Sequence, residues 1–335
     1  MTRVDVFAAA LRALDGGRGV ALAAVTGATG STPRHLGARM AVADDGAQWG
    51  TVGGGRIEAL VVAAAREVAG GAPARVVRQH LVRDLAMCCG GAMEVAITPG
   101  AASREVIAAI AGARAPLVLV TPLDGGPLAS RPPREGDPPA HRPVVEGGAL
   151  IERVGAAERV VMFGLGHVAR RLGPLLAELE FSVIACDDGD TGAHEPAPAW
   201  ADAVIESFDP REVERALGGL GRDDYVLIVT RDHAIDQQLL EQLIARDELG
   251  YLGMIGSRGK IGRFRKRLAA KGLLDGPAGE ARWARLRAPI GLDIGAETPE
   301  EIAVAIAAEL VARRRRGVAA ASDWRPVRAD TEDAR

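Results

Sequence analysis

Cys88 and Cys89 stand side by side in the stretch LAMCCGG (85–91). Neighbouring side chains in extended chain leave on opposite faces, so the two thiols face one ligand only where the backbone turns, and the two following glycines permit a turn. Thiolates are soft ligands suited to a soft or sulfur-bearing metal centre, and they also exchange or carry sulfur. The six histidines are scattered and no Cys-x-x-Cys or His-Glu-x-x-His spacing occurs, which speaks against a conventional zinc site. Adjacent cysteines also occur simply as small apolar residues.

Two loops upstream carry anion-binding chemistry and tilt the reading toward a ligand. TGSTPRHLGARM (29–40) gathers Ser31, Thr32, Arg34 and Arg39 around two glycines, and GTVGGGRIE (50–58) sets Gly53, Gly54 and Gly55 directly before a helix. Consecutive glycines let backbone amides form a nest at a positive helix end, to which Arg34, Arg39 or Arg56 adds bidentate contacts. Tight turns that only pack closely are the alternative, and neither loop has the Walker lysine pattern.

Further along, FGLGHVARRLG (163–173) joins an apolar run to a helical pattern as Gly164-x-Gly166-x-x-Ala169, with His167 inside it, and Asp187 closes the next apolar run. In that setting the glycines let a pyrophosphate approach the helix amides, and Asp187 is placed to accept from a ribose hydroxyl. A turn that only packs tightly, or that holds another phosphate-bearing ligand, fits the same residues. TRDHAID (230–236) and IGSRGKIGRFRKRL (255–268) lie at corresponding strand ends. Arg231, Asp232 and His233 therefore share the rim, His233 as a candidate acid or base and Asp232 as a helix cap. Ser257, Arg258 and Lys260 read either as a phosphate site or as the start of a basic surface helix.

These residues need a frame. RVVMFG (159–164), SVIACD (182–187), ADAVIE (201–206), YVLIVT (225–230) and YLGMIG (251–256) are short apolar runs separated mostly by helical patterns, which predicts a doubly wound parallel sheet with right-handed crossovers. ETPEEIAVAIAAELVARRRRG closes it as a helix with Thr298 and Glu301 as a capping box, Pro299 at the first position and Ile302, Ile306 and Leu310 as a stripe. The four arginines at 313–316 read as a solvated helix end. In the first part, VALAAVT (20–26), RMAVADDG (39–46), MEVAIT and PLVLVT are strands and 56–71 is a helix.

The expected fold is thus α/β: a C-terminal Rossmann-like doubly wound parallel sheet plus an N-terminal mixed α/β domain. Five prolines at 131–143 place a loop or linker there. The expected division is 1–130 with the paired cysteines, the linker 131–143, a Rossmann-like domain over 144–317 whose pattern is readable from 159, and a tail at 318–335.

A chain of 335 residues has room for two cores. A formal charge of −3 and 3% aromatic residues argue against a nucleic-acid partner, and no apolar run is long enough for a membrane span. Three cysteines in such a length point to a reducing compartment, the cytoplasm. Alanine-rich helices offer close-packing surfaces for a homodimer.

Taken together, GSTPRHLGARM, GTVGGG before a helix, CCGG, GLGHVA, TRDHAID, YLGMIGSRGK and APIGLDIGAETPEEIAVAIAAEL resemble the XdhC family of xanthine dehydrogenase accessory proteins, over about residues 30–316. The resemblance implies a protein without turnover of its own. Such proteins bind the molybdenum cofactor (molybdopterin) as cargo, protect it while a cysteine desulfurase helps exchange an oxo ligand for sulfur, and deliver it to the large subunit of an apo molybdenum hydroxylase. It implies that Cys88, Cys89 or both face the metal end, and that the Rossmann-like part binds the pterin phosphate, a nucleotide or NAD(P). An NAD(P)-dependent oxidoreductase, with His233 near the glycine turn, is the alternative. Three departures from the family pattern stand out: Ala86 and Met87 in place of a Gly-Gln pair, His35 in place of an acid, and Gly189 in place of an arginine.

Overall fold

The computed structural model describes residues 3–88, 90–113, 115–155, 158–189 and 197–316. The chain forms two compact units, Met1–Ala156 and Ala157–Arg335.

The first unit runs α1 (Arg3–Asp15), β1 (Val20–Thr29), β2 (Arg39–Ala43), β3 (Gln48–Gly50), α2 (Gly55–Ala69), β4 (Arg75–His80), β5 (Ala92–Pro99), α3 (Arg104–Ala111), β6 (Leu117–Pro122), β7 (Ala129–Arg131), β8 (Val144–Glu146) and β9 (Ala149–Val154). An antiparallel sheet in the order β3-β2-β1-β5-β4 is packed on both faces. On one side α2 contributes Ile57, Val61 and Val68 at helical spacing to a core with Val25, Met40 and Val95. On the other, Phe7 of α1 and Ile107 and Ile110 of α3 meet Leu22 and Ala41, together with Leu119 from a second antiparallel sheet, β7-β6-β9-β8. The register of β1 shifts between Val25 and Gly27, a bulge beside the loop that leaves its end.

The proline-rich run joins β7 to β8 within this second sheet, so residues 144–154 belong to the first unit and not to the Rossmann-like one. Prolines stop a ladder wherever they fall, and a loop inside a sheet leaves the same mark in composition as a linker between units. The loop is ordered by its own charges. Arg131 grips both oxygens of Asp137 at 2.7 and 2.5 Å, and that guanidinium with the Arg134 amide holds the carboxyl down to about 2.

The second unit runs β10 (Arg159–Phe163), α4 (His167–Glu178), β11 (Ser182–Cys186), β12 (Ala203–Ile205), α5 (Pro210–Leu217), β13 (Asp224–Ile228), α6 (His233–Leu243), β14 (Tyr251–Met254), α7 (Arg258–Ala270), α8 (Gly276–Arg285), β15 (Leu286–Arg287) and α9 (Pro299–Arg316). All its strand pairs are parallel, in the order β12-β11-β10-β13-β14-β15, which is the Rossmann arrangement with the switch between β10 and β13. Alternate residues of β10 serve opposite cores. Val161 and Phe163 face α6 and α7, while Val160 and Met162 face α4 and α9.

The capping box of α9 forms as the sequence predicts: the Glu301 amide donates to Thr298 Oγ1 at 3.3 Å, and Glu301 accepts from the Thr298 and Glu297 amides. Its arginines are not all solvated. Arg314 is buried, donates to Glu158 at 2.6 Å and to the Leu179 carbonyl at 2.7 Å, and lies 3.5 Å over the Phe181 ring. Arg313 bonds the Gly250 carbonyl. Gly317 and the 318–335 tail lie outside the described residues. Among the described residues, no helix is long and apolar enough to cross a membrane.

Candidate functional site

Three loops of the first unit meet beside Cys88. The loop 30–38 leaves β1, 51–54 precedes α2, and 81–91 enters β5. Their meeting follows from the pairing of Thr29 with Ala92, which brings the exit of one strand to the entrance of the other. The Gly91 amide donates to the Ser31 carbonyl at 3.0 Å. Gly53 has φ +141°, and a Cβ there would lie 2.6 Å from Pro33 Cγ, so the glycine is required by the approach of the first loop as well as by its own backbone. Met87 Cε reaches within 3.3 Å of where a Gly55 Cβ would stand, and Arg56 Nη1 donates to the Leu85 carbonyl at 2.9 Å.

The cysteine segment is anchored by Leu81 and Leu85 in the α2 core, with turns closed by Met87 N to Leu81 O and Asp84 N to His80 O, both 2.9 Å. Cys88, one residue beyond this anchor, is exposed. Cys89 lies outside the described residues. The third cysteine, Cys186, is buried in β11, where burial and the neighbouring Asp187 charge push its thiol up to about 12 and leave it inert at neutral pH.

Ala86 adopts φ +51°, the left-handed region that costs an L-residue about 1–2 kcal/mol. Ala86→Gly is therefore expected to stabilise the first unit by up to about 1 kcal/mol, read as a higher urea midpoint, after the entropy of the added glycine is subtracted. A lower midpoint would show that Ala86 carries no such strain.

The glycine nest is already filled. Glu58, one turn into α2, accepts from the Val52 amide at 3.0 Å, the Gly54 amide at 3.1 Å and the Thr51 hydroxyl, while the Gly53 amide donates to Thr51 Oγ1 at 3.1 Å. Of the glycine amides expected to hold an anion, that of Gly54 is taken by the chain's own carboxylate and that of Gly53 by Thr51. Burial raises the Glu58 pKa, but the hydroxyl and amide donors outweigh it and hold the group below its ordinary 4.5. A lowered pKa gives stability that is fully present above 4.5 and fades as pH falls through the folded value. Glu58→Gln should cost about 2 kcal/mol at neutral pH, and urea unfolding across about pH 3 to 7 should show the difference from the native chain shrinking at the acid end.

Of the predicted residues in loop 30–38, Ser31 and Arg34 are exposed, and Arg34 has no ion-pair partner among the described residues. Thr32 Oγ1 donates to the Arg34 carbonyl at 3.0 Å and shapes the turn. Arg39 is not at the site. It lies buried in β2, donating to Glu152 at 3.1 Å and to Thr121 at 2.9 Å, because the strand register turns its side chain toward the second sheet. Arg56 reaches the cysteine segment at the Leu85 carbonyl, and Arg34 stands exposed on the loop that packs against Gly53.

In the second unit, a cavity of about 280 Å³ opens at the C-terminal ends of β10, β11 and β13, where Gly164, Gly166, Asp187, Thr230, Arg231 and Asp232 contribute to its lining. Gly164 has φ +109°, and a Cβ there would lie 2.8 Å from Thr230 Cα, so this glycine serves the packing of β13. Asp187 is buried and accepts from the Leu165 amide at 2.9 Å and the Gly189 amide at 3.1 Å, which makes holding the turn its first task. Asp232 caps α6 by accepting from Ala234 N at 2.6 Å and Ile235 N at 3.2 Å. His167 and His233 are exposed first residues of α4 and α6, and neither is among the residues lining the cavity. Ser257 caps α7 and Arg258 is exposed at its start. Lys260 is buried against Asp236 and is no phosphate ligand.

Residues 13–80 match the family model of XdhC and CoxI, and residues 160–310 match that of the XdhC Rossmann domain. The uncharacterized protein YqeB of Escherichia coli (strain K12) is 27% identical over 295 residues, 87% of this chain and 43% of that protein. A probable xanthine dehydrogenase subunit of Bacillus subtilis (strain 168) is 31% identical over 166 residues, 50% of this chain and 46% of that protein. The chain spans less than half the length of these curated relatives. A crystal structure of a xanthine dehydrogenase from Bacillus halodurans superposes with a TM-score of 0.71 at 22% identity, covering 93% of this chain and 95% of that one, a likeness of fold. With two matched regions that take in the loops 30–38 and 51–54 and the core of the Rossmann sheet, the chain belongs to the XdhC family.

Proposed function

We propose that the chain is an accessory factor in the maturation of a molybdenum hydroxylase such as xanthine dehydrogenase. It takes the molybdenum cofactor as cargo at the three-loop junction, shelters it while a cysteine desulfurase supplies sulfur, and passes it to the apo hydroxylase. The observation that carries this reading is the exposure of Cys88 on an anchored turn where the loops 30–38 and 51–54 converge. A thiolate there can meet a soft metal centre, and Arg34 and Arg56 supply cationic contacts for a phosphate. The amide nest serves a different purpose: filled by Glu58, it fixes the loop.

The test is uptake of molybdenum and pterin by the full chain incubated with the cofactor, measured by metal analysis and pterin fluorescence. Near-equal amounts of both are expected, falling at least about tenfold, roughly 1.4 kcal/mol, in Cys88→Ser/Cys89→Ser. Undiminished uptake by that double variant would remove the thiols from the function. Steady hydride transfer to NAD from an added oxidisable small-molecule substrate, with no partner protein present, would instead favour an oxidoreductase.

A further inference from the structure

We infer that a second cavity in the Rossmann unit binds a planar aromatic heterocycle bearing an anionic group, the chemistry of a mononucleotide. The cavity measures about 460 Å³ and is built from segments 255–258 and 289–296 and the first turns of α9. It shares no lining residue with the cavity at the glycine turn. Its volume falls among small-molecule sites, roughly 300–1,000 Å³.

The walls and the rim differ in chemistry. Ile255, Pro289, Ile290, Leu292, Ile302 and Ala305 make aliphatic walls. At the rim stand Arg258 and Asp293, whose nearest charged atoms are 3.7 Å apart with side chains 89% and 76% exposed. So loose and hydrated a pair contributes little, and its guanidinium can exchange the carboxylate for a better-placed anion. Among the described residues, the backbone amides of Asp293, Gly295 and Ala296 at the same rim have no protein acceptor.

The loop is held in place without a ligand. Ile290 N donates to Met254 O at 3.0 Å, Leu292 N to Ala305 O at 3.1 Å, and Gly291 N to Glu309 Oε2 at 2.6 Å. Glu309 is itself buried and accepts from the Tyr251 hydroxyl at 2.8 Å, so the loop rests on a fixed carboxylate in α9. A preformed site spends little binding energy on ordering. A hydrocarbon would leave the arginine and three amides unused, and free phosphate would leave the walls bare. A flat heterocycle lays its faces on the branched side chains, its edge atoms on the amides and its anionic group on Arg258.

The test is calorimetric titration of the full chain with GMP, and separately with guanosine and inorganic phosphate as its two halves. GMP should bind more tightly than about 1 mM, guanosine about tenfold more weakly, and phosphate without detectable heat. Arg258→Ala should bring GMP to the guanosine level, whereas Asp293→Asn should tighten it a few-fold by removing the competing carboxylate. Both side chains are exposed, so these opposite shifts do not arise from unfolding. Ala296→Trp, which fills the cavity, should abolish binding. Absence of GMP binding, equal affinity for guanosine, or native affinity in Ala296→Trp would each overturn the inference. No thiol or molybdenum enters the test, so its failure leaves the accessory role untouched.

Discussion

Asp236→Asn is expected to destabilise the second unit by about 3–5 kcal/mol, because it leaves Lys260 as a buried charge without its partner. Asp236 is wholly buried in the first turn of α6 and Lys260 is 5% exposed in the first turn of α7. The ammonium bonds Asp236 and also donates to the Ile255 carbonyl at 3.1 Å, while the Thr230 hydroxyl donates to the other Asp236 oxygen at 2.6 Å. These bonds tie the ends of β13 and β14 together, so the loss should appear as lower hydrogen-exchange protection in both strands. Lys260→Met should cost a similar amount. The double variant should cost clearly less than the sum, since removing both charges avoids the stranded one. Additive losses, or a single loss under about 1 kcal/mol, would mean that water or another group already compensates each charge.

The same pair shows where sequence reading stops. Both residues lie in stretches that the spacing marks as strand ends, TRDHAID and IGSRGK, and Lys260 reads there either as part of a phosphate site or as the start of a basic surface helix. The strand order makes β13 and β14 neighbours, so the first turns of α6 and α7 face each other and the lysine finds an internal acid first. Glu58 is the parallel case in the first unit: the glycines suggest a site for a bound anion, and the carboxylate that meets the Gly54 amide stands in the first turn of the helix that follows them. The parallel strands and the α9 cap are legible because each depends on local pattern alone. The second antiparallel sheet is not. Its strand β7 is three residues long, and its pairing across the proline-rich loop depends on contacts that no local window contains. Arg314 reads as solvated for the same reason, since Glu158 lies 156 positions away in sequence.

Arg39 supplies the strongest expected effect in the first unit. Its guanidinium crosses from β2 of one sheet to Glu152 of β9 and Thr121 of β6 in the other, and lies 5.3 Å from the Phe7 ring of α1. Arg39 is 4% exposed and Glu152 is 1% exposed, so Arg39→Met should cost about 3–5 kcal/mol through the carboxylate it abandons. Arg39 Nε has no hydrogen-bond partner among the described residues, so part of the arginine's desolvation is uncompensated already. That makes the pair a candidate for apolar replacement: Arg39→Met/Glu152→Leu should recover most of the single variant's loss. The consequence reaches the cysteine site, because the Arg39 carbonyl accepts from the Thr51 amide at 3.2 Å and Thr51 opens the loop that Glu58 holds. Hydrogen exchange at Thr51 should therefore quicken in Arg39→Met and return toward the native rate in the double variant. If Thr51 keeps its protection while β2 loses its own, loop 51–54 is held by Glu58 without the Arg39 carbonyl, and the pairing of the two sheets does not reach it.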